Sequence, residues 1–166
     1  MLRRCCLLLV MVFGLMGCYK PSLTASNSSL MSSYKKITQT RQLAPYNQVV
    51  VKGRLNVSLH TGYRHPQVIL TGDGRDLAQV VTNIKNNTLF ISMTGKARPY
   101  YAEVAVEIRT HDLNSFTYDG VGVISGSQLN TRYLNLSITN PGNTVLGGHI
   151  NLGRLAVHGH SSVLLS

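Results

Sequence analysis

The sequence predicts an all-β fold, and three observations support this prediction. Apolar and polar residues alternate at a period of two over most of the chain after residue 45. No stretch there keeps the 3.6-residue apolar stripe of an amphipathic helix. Towards the C-terminus, similar segments recur about every 20 residues, which is typical of a repeat architecture. We therefore expect a β-solenoid with a strand-rich N-terminal part, carried on a flexible tether.

The first 17 residues have the charge and hydropathy pattern of a secretory signal peptide. Arg3 and Arg4 precede an apolar stretch of 12 residues, Cys5 to Met16. A helix of that length spans about 18 Å, which is short of the ~30 Å hydrocarbon core of a bilayer. We interpret residues 1–17 as a cleaved signal peptide and not as a permanent transmembrane helix.

The segment Leu15-Met16-Gly17-Cys18 resembles the lipobox of bacterial lipoproteins. The resemblance implies cleavage between Gly17 and Cys18 and attachment of acyl chains such as palmitate to Cys18. Each buried CH₂ contributes about 0.8 kcal/mol, so two or three chains give a stable membrane anchor where one is marginal. Tyr19 stands where many inner-membrane lipoproteins carry Asp, which favours the outer membrane. A chance cysteine behind an ordinary signal peptide is the alternative.

The mature chain is basic and has no internal disulfide. Two of the three cysteines leave with the signal peptide, so Cys18 has no partner cysteine. The chain has 16 Lys and Arg against 6 Asp and Glu, and loss of the two signal-peptide arginines leaves 14 against 6, a net charge of about +8. Because the charges are spread along the chain, they favour a solvated basic surface. The alternative, besides the membrane, is an anionic glycan or lipopolysaccharide as partner, and we do not expect nucleic acid.

Residues 18–44 are polar and lack apolar periodicity, and we interpret them, after the lipidated cysteine, as a flexible tether. Whether its last residues join the domain is left open. The domain, residues 45–166, begins with short alternating segments that are separated by turn residues. These predicted strands cover residues 49–51, 55–59, 68–70, 80–84, 89–93 and 104–108. One helical turn within residues 76–82 is an alternative, and Asn86-Asn87 is a predicted turn.

Three C-terminal segments align with one another, at residues 116–124, 136–145 and 155–163. They begin with the apolar residues Phe116, Leu136 and Leu155, at intervals of 20 and 19 residues. Glycine or asparagine follows at positions where a solenoid corner needs a positive φ. Since one coil cannot bury its apolar face alone, stacking of coils would form the core. An antiparallel meander with regular turns is the alternative.

Residues 45–166 resemble the "putative auto-transporter adhesin, head GIN domain" family. The resemblance is carried by YNQVVVKGRLNVSLHTG, NNTLFISM and AEVAVEIRTHDLNSF, followed by the three aligned segments. It implies a right-handed β-helix-like fold in exported or lipid-anchored bacterial proteins, and it supplies no functional residues. An uncovered last coil would expose apolar side chains and strand edges. We expect the C-terminal solenoid end to be covered in a homo-oligomer or by the N-terminal segment, with a truncated chain as the alternative.

The acidic residues do not suggest a catalytic pair. Glu103 and Glu107 share a strand face about 13 Å apart at ~3.3 Å per residue, which is long for glycosidic chemistry. The other acids fit turns. We therefore expect a non-enzymatic structural, adhesive or ligand-binding envelope module without a cofactor. An envelope carbohydrate-active enzyme on a β-helix scaffold is the alternative, and an assembly protein that pairs through its open end is a third class.

Two groups of side chains are candidates for ligand contact. The first group is Arg98, Tyr100 and Tyr101, for which the sequence favours packing on a strand surface; stacking on sugar rings or contact with anionic glycans is the alternative. The second group consists of the histidines His149, His158 and His160. No Cys or acid lies near them in the sequence, so we expect surface histidines and no metal site.

Overall fold

The computed structural model describes residues 35–95 and 103–166. Within these ranges the chain forms eleven β-strands and one helical turn, and the prediction of an all-β fold is confirmed. The strands are β1 (Lys36–Gln42), β2 (Gln48–Gly53), β3 (Asn56–His60), β4 (Gln67–Asp73), β5 (Val80–Lys85), β6 (Thr88–Met93), β7 (Ala105–Arg109), β8 (Ser115–Gly120), β9 (Ile124–Thr139), β10 (Asn143–His158) and β11 (Ser162–Leu165). The helical turn α1 (Gly74–Leu77) lies between β4 and β5.

The strands form one curled, open sheet that we divide into two walls. Wall A consists of β5, β6, β2, β8 and the C-terminal parts of β9 and β10, in that order. Wall B consists of β1, β4, β7, β3, the N-terminal parts of β9 and β10, and β11. The two long strands belong to both walls, so they make the sheet continuous.

The aligned C-terminal segments lie side by side in wall A. Phe116 on β8 pairs with Leu136 on β9, and Leu136 pairs with Leu155 on β10. The three strands run parallel, which excludes the antiparallel meander for this part of the chain. The three predicted anchor residues therefore occupy the same position on neighbouring strands.

Side chains from both walls form a single apolar core. The period-two alternation directs every second residue inward, so Val49 and Val51 on β2 and Val57 and Leu59 on β3 are almost completely buried. Phe116 and Tyr118 stack at a ring distance of 6.5 Å inside the same cluster. The pattern that predicts the strands therefore also identifies most of the core.

Glycines form the corner at which wall A turns into wall B. A Cβ atom at Gly120 would overlap the carbonyl oxygen of Gly53, and one at Gly122 would overlap that of Leu55. At the next such turn, a Cβ at Gly142 would overlap the carbonyl oxygen of Gly122. Neighbouring turns are therefore in backbone contact at this corner, which only glycine permits.

Asn140 satisfies polar backbone groups at the same corner. Its side-chain oxygen accepts hydrogen bonds from the amides of Gly142 at 3.0 Å and Gly122 at 3.3 Å. Its side-chain amide donates to the Gly122 carbonyl at 2.8 Å, and the Ser161 hydroxyl donates to the Asn140 carbonyl. Asn140 is buried, so these bonds compensate for the water that it has lost. It ties three successive turns together.

The structure tests three local predictions, which concern the end of the tether, a helical turn and the turn at Asn86-Asn87. The stretch Lys36–Gln42, in the part left open between tether and domain, forms β1 and pairs antiparallel with β4. A helical turn forms at Gly74–Leu77 and shares only its last two residues with the predicted stretch 76–82, most of which leads into β5 or belongs to it. Asp73 caps this turn by accepting from the Arg75 amide at 2.9 Å. The predicted turn at Asn86-Asn87 is confirmed, since both residues have positive φ.

The glycine corner generates a stability prediction. Gly122→Ala places a methyl group on the Leu55 carbonyl, so we expect a loss of about 1–3 kcal/mol in the free energy of unfolding, measured by urea denaturation. Gly74→Ala is the matched control, because its nearest atom is the flexible end of Ile37 at 3.3 Å. Equal stability of the two variants would show that the corner tolerates a side chain.

Tyr118 generates a prediction about alkaline pH. Its hydroxyl donates to the Leu55 carbonyl at 2.7 Å, and burial raises the pKa of its phenol from 10.0 to about 12. The folded state therefore holds this proton more tightly than the unfolded state. Its contribution to stability is complete below about pH 10 and is lost as the pH rises towards about 12.

We expect Tyr118→Phe to make the fall in unfolding free energy over that pH interval shallower. Tyr133→Phe is the control, because Tyr133 is 55% exposed. Urea titrations at a series of alkaline pH values measure both slopes. If the wild-type and Tyr118→Phe slopes coincide, the alkaline instability has another origin.

Candidate functional site

The outer surface of wall A is flat and polar around β8, β9 and β10. Alternation directs Phe116, Leu136 and their equivalents inward, and the residues between them outward. The outward residues form rows across the strands, with Ser115 beside Asn135 and Arg154, and Thr117 beside Ser137 and Ala156. Small side chains in the middle of each row leave the surface open to a flat ligand.

A groove of about 620 Å³ lies on this surface, and we call it the Tyr133 groove. It extends over β8, β9 and β10. Its lining residues are mainly small or polar, and they are Ser115, Tyr133, Asn135, Leu136, Ser137, Gly153, Arg154, Ala156 and His158. Hydroxyl, amide, guanidinium and imidazole groups in one groove provide both donors and acceptors of hydrogen bonds.

The ring of Tyr133 lies against the backbone of Gly153. A Cβ atom at position 153 would overlap the ring at Cζ and Cε2, so only glycine allows this ring position. The Tyr133 side chain is nevertheless 55% exposed. An aromatic ring that packs on backbone and stays accessible is suited to stacking on a ligand.

Arg154 gives the groove its positive charge. Arg154 and His158 lie four residues apart on β10 and share its outward side, and both are exposed. None of the residues that line the groove is acidic. Asp119 lies outside it, two strands away from His158, because it pairs with Thr139 and Thr139 pairs with His158. The groove is therefore suited to a ligand with negative charge.

A second cavity, of about 360 Å³, lies where the chain enters wall A. Its lining includes Tyr46, Asn47, Arg64, His111 and Asp112. The Asn47 side-chain oxygen is buried without a hydrogen-bond partner, whereas His111 and Asp112 form an exposed pair at 2.9 Å. Burial raises the pKa of the Tyr46 phenol well above its ordinary value, so this group stays neutral. The Asp112 carboxylate at this cavity makes it less suited than the Tyr133 groove to an anionic ligand.

The acidic residues on wall B are engaged in local contacts. Glu107 forms ion pairs with Arg109 at 2.6 Å and with His60 at 3.8 Å. Glu103 accepts a hydrogen bond from Asn56 at 3.1 Å. These contacts give the two glutamates structural roles and leave neither in the Tyr133 groove.

The predicted site residues have different outcomes. Arg98, Tyr100 and Tyr101 lie outside the described residues, as do Gly17 and Cys18. The predicted surface histidines are exposed at positions 149, 158 and 160, and His158 alone of the three lines the Tyr133 groove. Within residues 35–95 and 103–166, no group of three or more His, Cys, Asp or Glu side chains could hold a metal ion. In the same ranges, no helix has the length and hydropathy needed to cross a membrane.

Sequence reasoning missed Tyr133, Asn135 and Arg154. The repeat alignment indicates two of these residues, because Asn135 directly precedes the anchor residue Leu136 and Arg154 directly precedes Leu155. Strand pairing places these two polar residues side by side. No sequence pattern places the Tyr133 ring over Gly153.

Comparison with known proteins identifies the family. The model of the family described as "Putative auto-transporter adhesin, head GIN domain" matches residues 45–165. The chain belongs to this family. The resemblance inferred from the sequence is therefore confirmed for the GIN domain.

Crystal structures of two proteins share the fold of this GIN domain. One is a "putative adhesin" from Bacteroides fragilis NCTC 9343, with 21% identity and a TM-score of 0.64 over 79% of the present chain. The other is a "putative adhesin" from Parabacteroides distasonis ATCC 8503, with 17% identity and a TM-score of 0.56 over 81% of the present chain. The chain spans 62% and 66% of these two proteins, less than two thirds of either. No curated protein matches the sequence.

Proposed function

We propose that this GIN-domain chain is a non-enzymatic adhesive or ligand-binding module of the bacterial cell envelope. The observation that carries the proposal is the Tyr133 groove, an open polar groove with an exposed aromatic ring and no acidic lining residue. Glycosidic cleavage generally needs two carboxylates across the scissile bond, and this groove offers none. The description of the family as an adhesin head domain supports the same function class.

The proposed attachment to the envelope is a lipid anchor on Cys18 after cleavage behind Gly17. Its support is the order of charge, apolar stretch and small residue before Cys18, together with the start of the family match at residue 45. Two or three acyl chains would hold the domain stably at a membrane. We assign the anchor to the outer membrane on the basis of Tyr19.

The proposed finer fold of the domain is a right-handed β-helix-like solenoid. Its support is the parallel pairing of β8, β9, β10 and β11 and the passage of β9 and β10 through both walls. A stack of this kind presents long rows of outward side chains, which suits an extended ligand.

Cell fractionation with mass analysis tests the anchor. We expect wild-type protein in the membrane fraction with an acylated N-terminal cysteine, and Cys18→Ser without lipid or cleavage. Lys20→Ser is a matched control beside the processing site, and it should be lipidated like wild type. Soluble, unlipidated wild-type protein would contradict the anchor and leave the binding function to be tested separately.

The exposed apolar side chains of β10 generate a prediction about self-association. Leu155 and Val157 are 43% and 38% exposed, whereas their partners Leu136 and Ile138 on β9 are buried. We propose that a second copy covers this side of β10, so the wild-type mass should rise with concentration in sedimentation experiments.

A charged side chain at position 157 should disrupt the proposed self-association. We expect Val157→Lys to remain monomeric over the same concentration range. Val81→Lys is the control, because Val81 is exposed to a similar extent, 47%, on β5 at the other end of wall A. A wild-type protein that stays monomeric at every concentration would contradict the homo-oligomer.

A further inference from the structure

We propose that the Tyr133 groove binds an acidic polysaccharide, with a sugar ring stacked on Tyr133 and acid groups held by Arg154 and His158. This inference rests on the proposed binding function and specifies its ligand class and contact residues. It concerns the outer surface of wall A and names other residues than the Arg98, Tyr100 and Tyr101 candidates.

Tyr133 provides the stacking surface. The C–H groups on one face of a pyranose ring are apolar, and they pack on the face of an aromatic ring. The absence of a side chain at Gly153 lets the Tyr133 ring lie on the backbone, while 55% of the side chain stays exposed. The exposed part of the ring is therefore accessible to a sugar.

The floor of the groove provides short polar contacts. Ser115, Asn135 and Ser137 lie on adjacent parallel strands, and their hydroxyl and amide groups can both donate and accept hydrogen bonds. Ala156, next to Ser137 in the same row, has a side chain too small to fill the groove. Sugar hydroxyl groups match this mixture of donors and acceptors.

The basic side chains select for acidic sugars. The Arg154 guanidinium can hold a carboxylate or sulfate through two parallel hydrogen bonds. His158 lies about 13 Å further along β10 at ~3.3 Å per residue, a distance that exceeds a single sugar ring. Arg154 provides the positive charge and the His158 imidazole a second polar contact, and two such positions at this separation favour a polymer with repeated acid groups over a monosaccharide.

The test measures binding of oligogalacturonate and of its uncharged methyl ester to full-length protein in detergent, by isothermal titration calorimetry. The two probes share a sugar backbone and differ in charge, so we expect binding of the acid form and much weaker binding of the ester. Tyr133→Ala should weaken binding by about tenfold, and Tyr133→Phe should retain it, because the ring stacks without its hydroxyl.

Gly153→Ala tests the position of the Tyr133 ring without changing the ring itself. The added methyl group displaces the Tyr133 ring and removes no polar group, so we expect a weakening by about tenfold as well. Arg154→Gln should weaken binding of the acid form by about fivefold. Arg54→Gln is the control for net charge, because Arg54 is exposed in the turn between β2 and β3, and it should bind like wild type. Thermal melting by circular dichroism verifies that each variant is folded.

Three outcomes would overturn the inference. Equal losses in Arg154→Gln and Arg54→Gln, with none in Tyr133→Ala, would mean diffuse attraction to a basic surface. Equal binding of the acid and its ester would remove the role of charge. Binding to phosphatidylglycerol vesicles without any binding to oligogalacturonate would identify a membrane contact. None of these results affects the lipid anchor, which Cys18→Ser tests separately, so failures of the two proposals can be distinguished.

Discussion

Wall A turns into wall B at a corner where Gly120, Gly122 and Gly142 allow neighbouring turns to approach to backbone contact. This close approach sets the spacing of the turns, and the rest of the structure depends on it. Asn140 forms hydrogen bonds with backbone groups of the same corner, and the Tyr118 hydroxyl donates a hydrogen bond to the Leu55 carbonyl there. Strand register then follows from the corner, because a strand that starts at a fixed turn can pair with its neighbour in only one alternation.

The strand register places equivalent residues of the sequence repeat side by side on the inner and outer faces of wall A. On the inner side it aligns Phe116, Leu136 and Leu155. On the outer side it aligns small polar residues into rows, and these rows form the floor of the Tyr133 groove. The same constraint that builds the core therefore builds the candidate binding surface. A substitution at the corner should affect both, whereas one in the groove should leave the core intact.

The outer surface of wall A combines basic charge with small outward side chains. The acids of wall B pair with Arg109 and His60 or accept from Asn56, and none of them lies in the Tyr133 groove. Asp119 lies two strands away from His158, outside the groove, so the positive charge of Arg154 has no acidic neighbour among the residues that line the groove and is available to an external partner. Since charge selects the partner and the aromatic ring fixes its position, affinity and specificity in our proposal come from different residues.

The sequence by itself determined most of the strands, the core-facing residues and the equivalence of the three C-terminal segments, because alternation and the 20-residue interval are local patterns. That these segments pair in parallel was decided by the tertiary structure, since an antiparallel meander has the same alternation and turn spacing. The sequence left β1 open, since that edge strand has few apolar residues and is held by backbone pairing with β4. Only the tertiary structure decided the Tyr133 groove. Tyr133 and Gly153 are 20 residues apart, and nothing in either segment encodes their contact until neighbouring strands place the ring on the glycine.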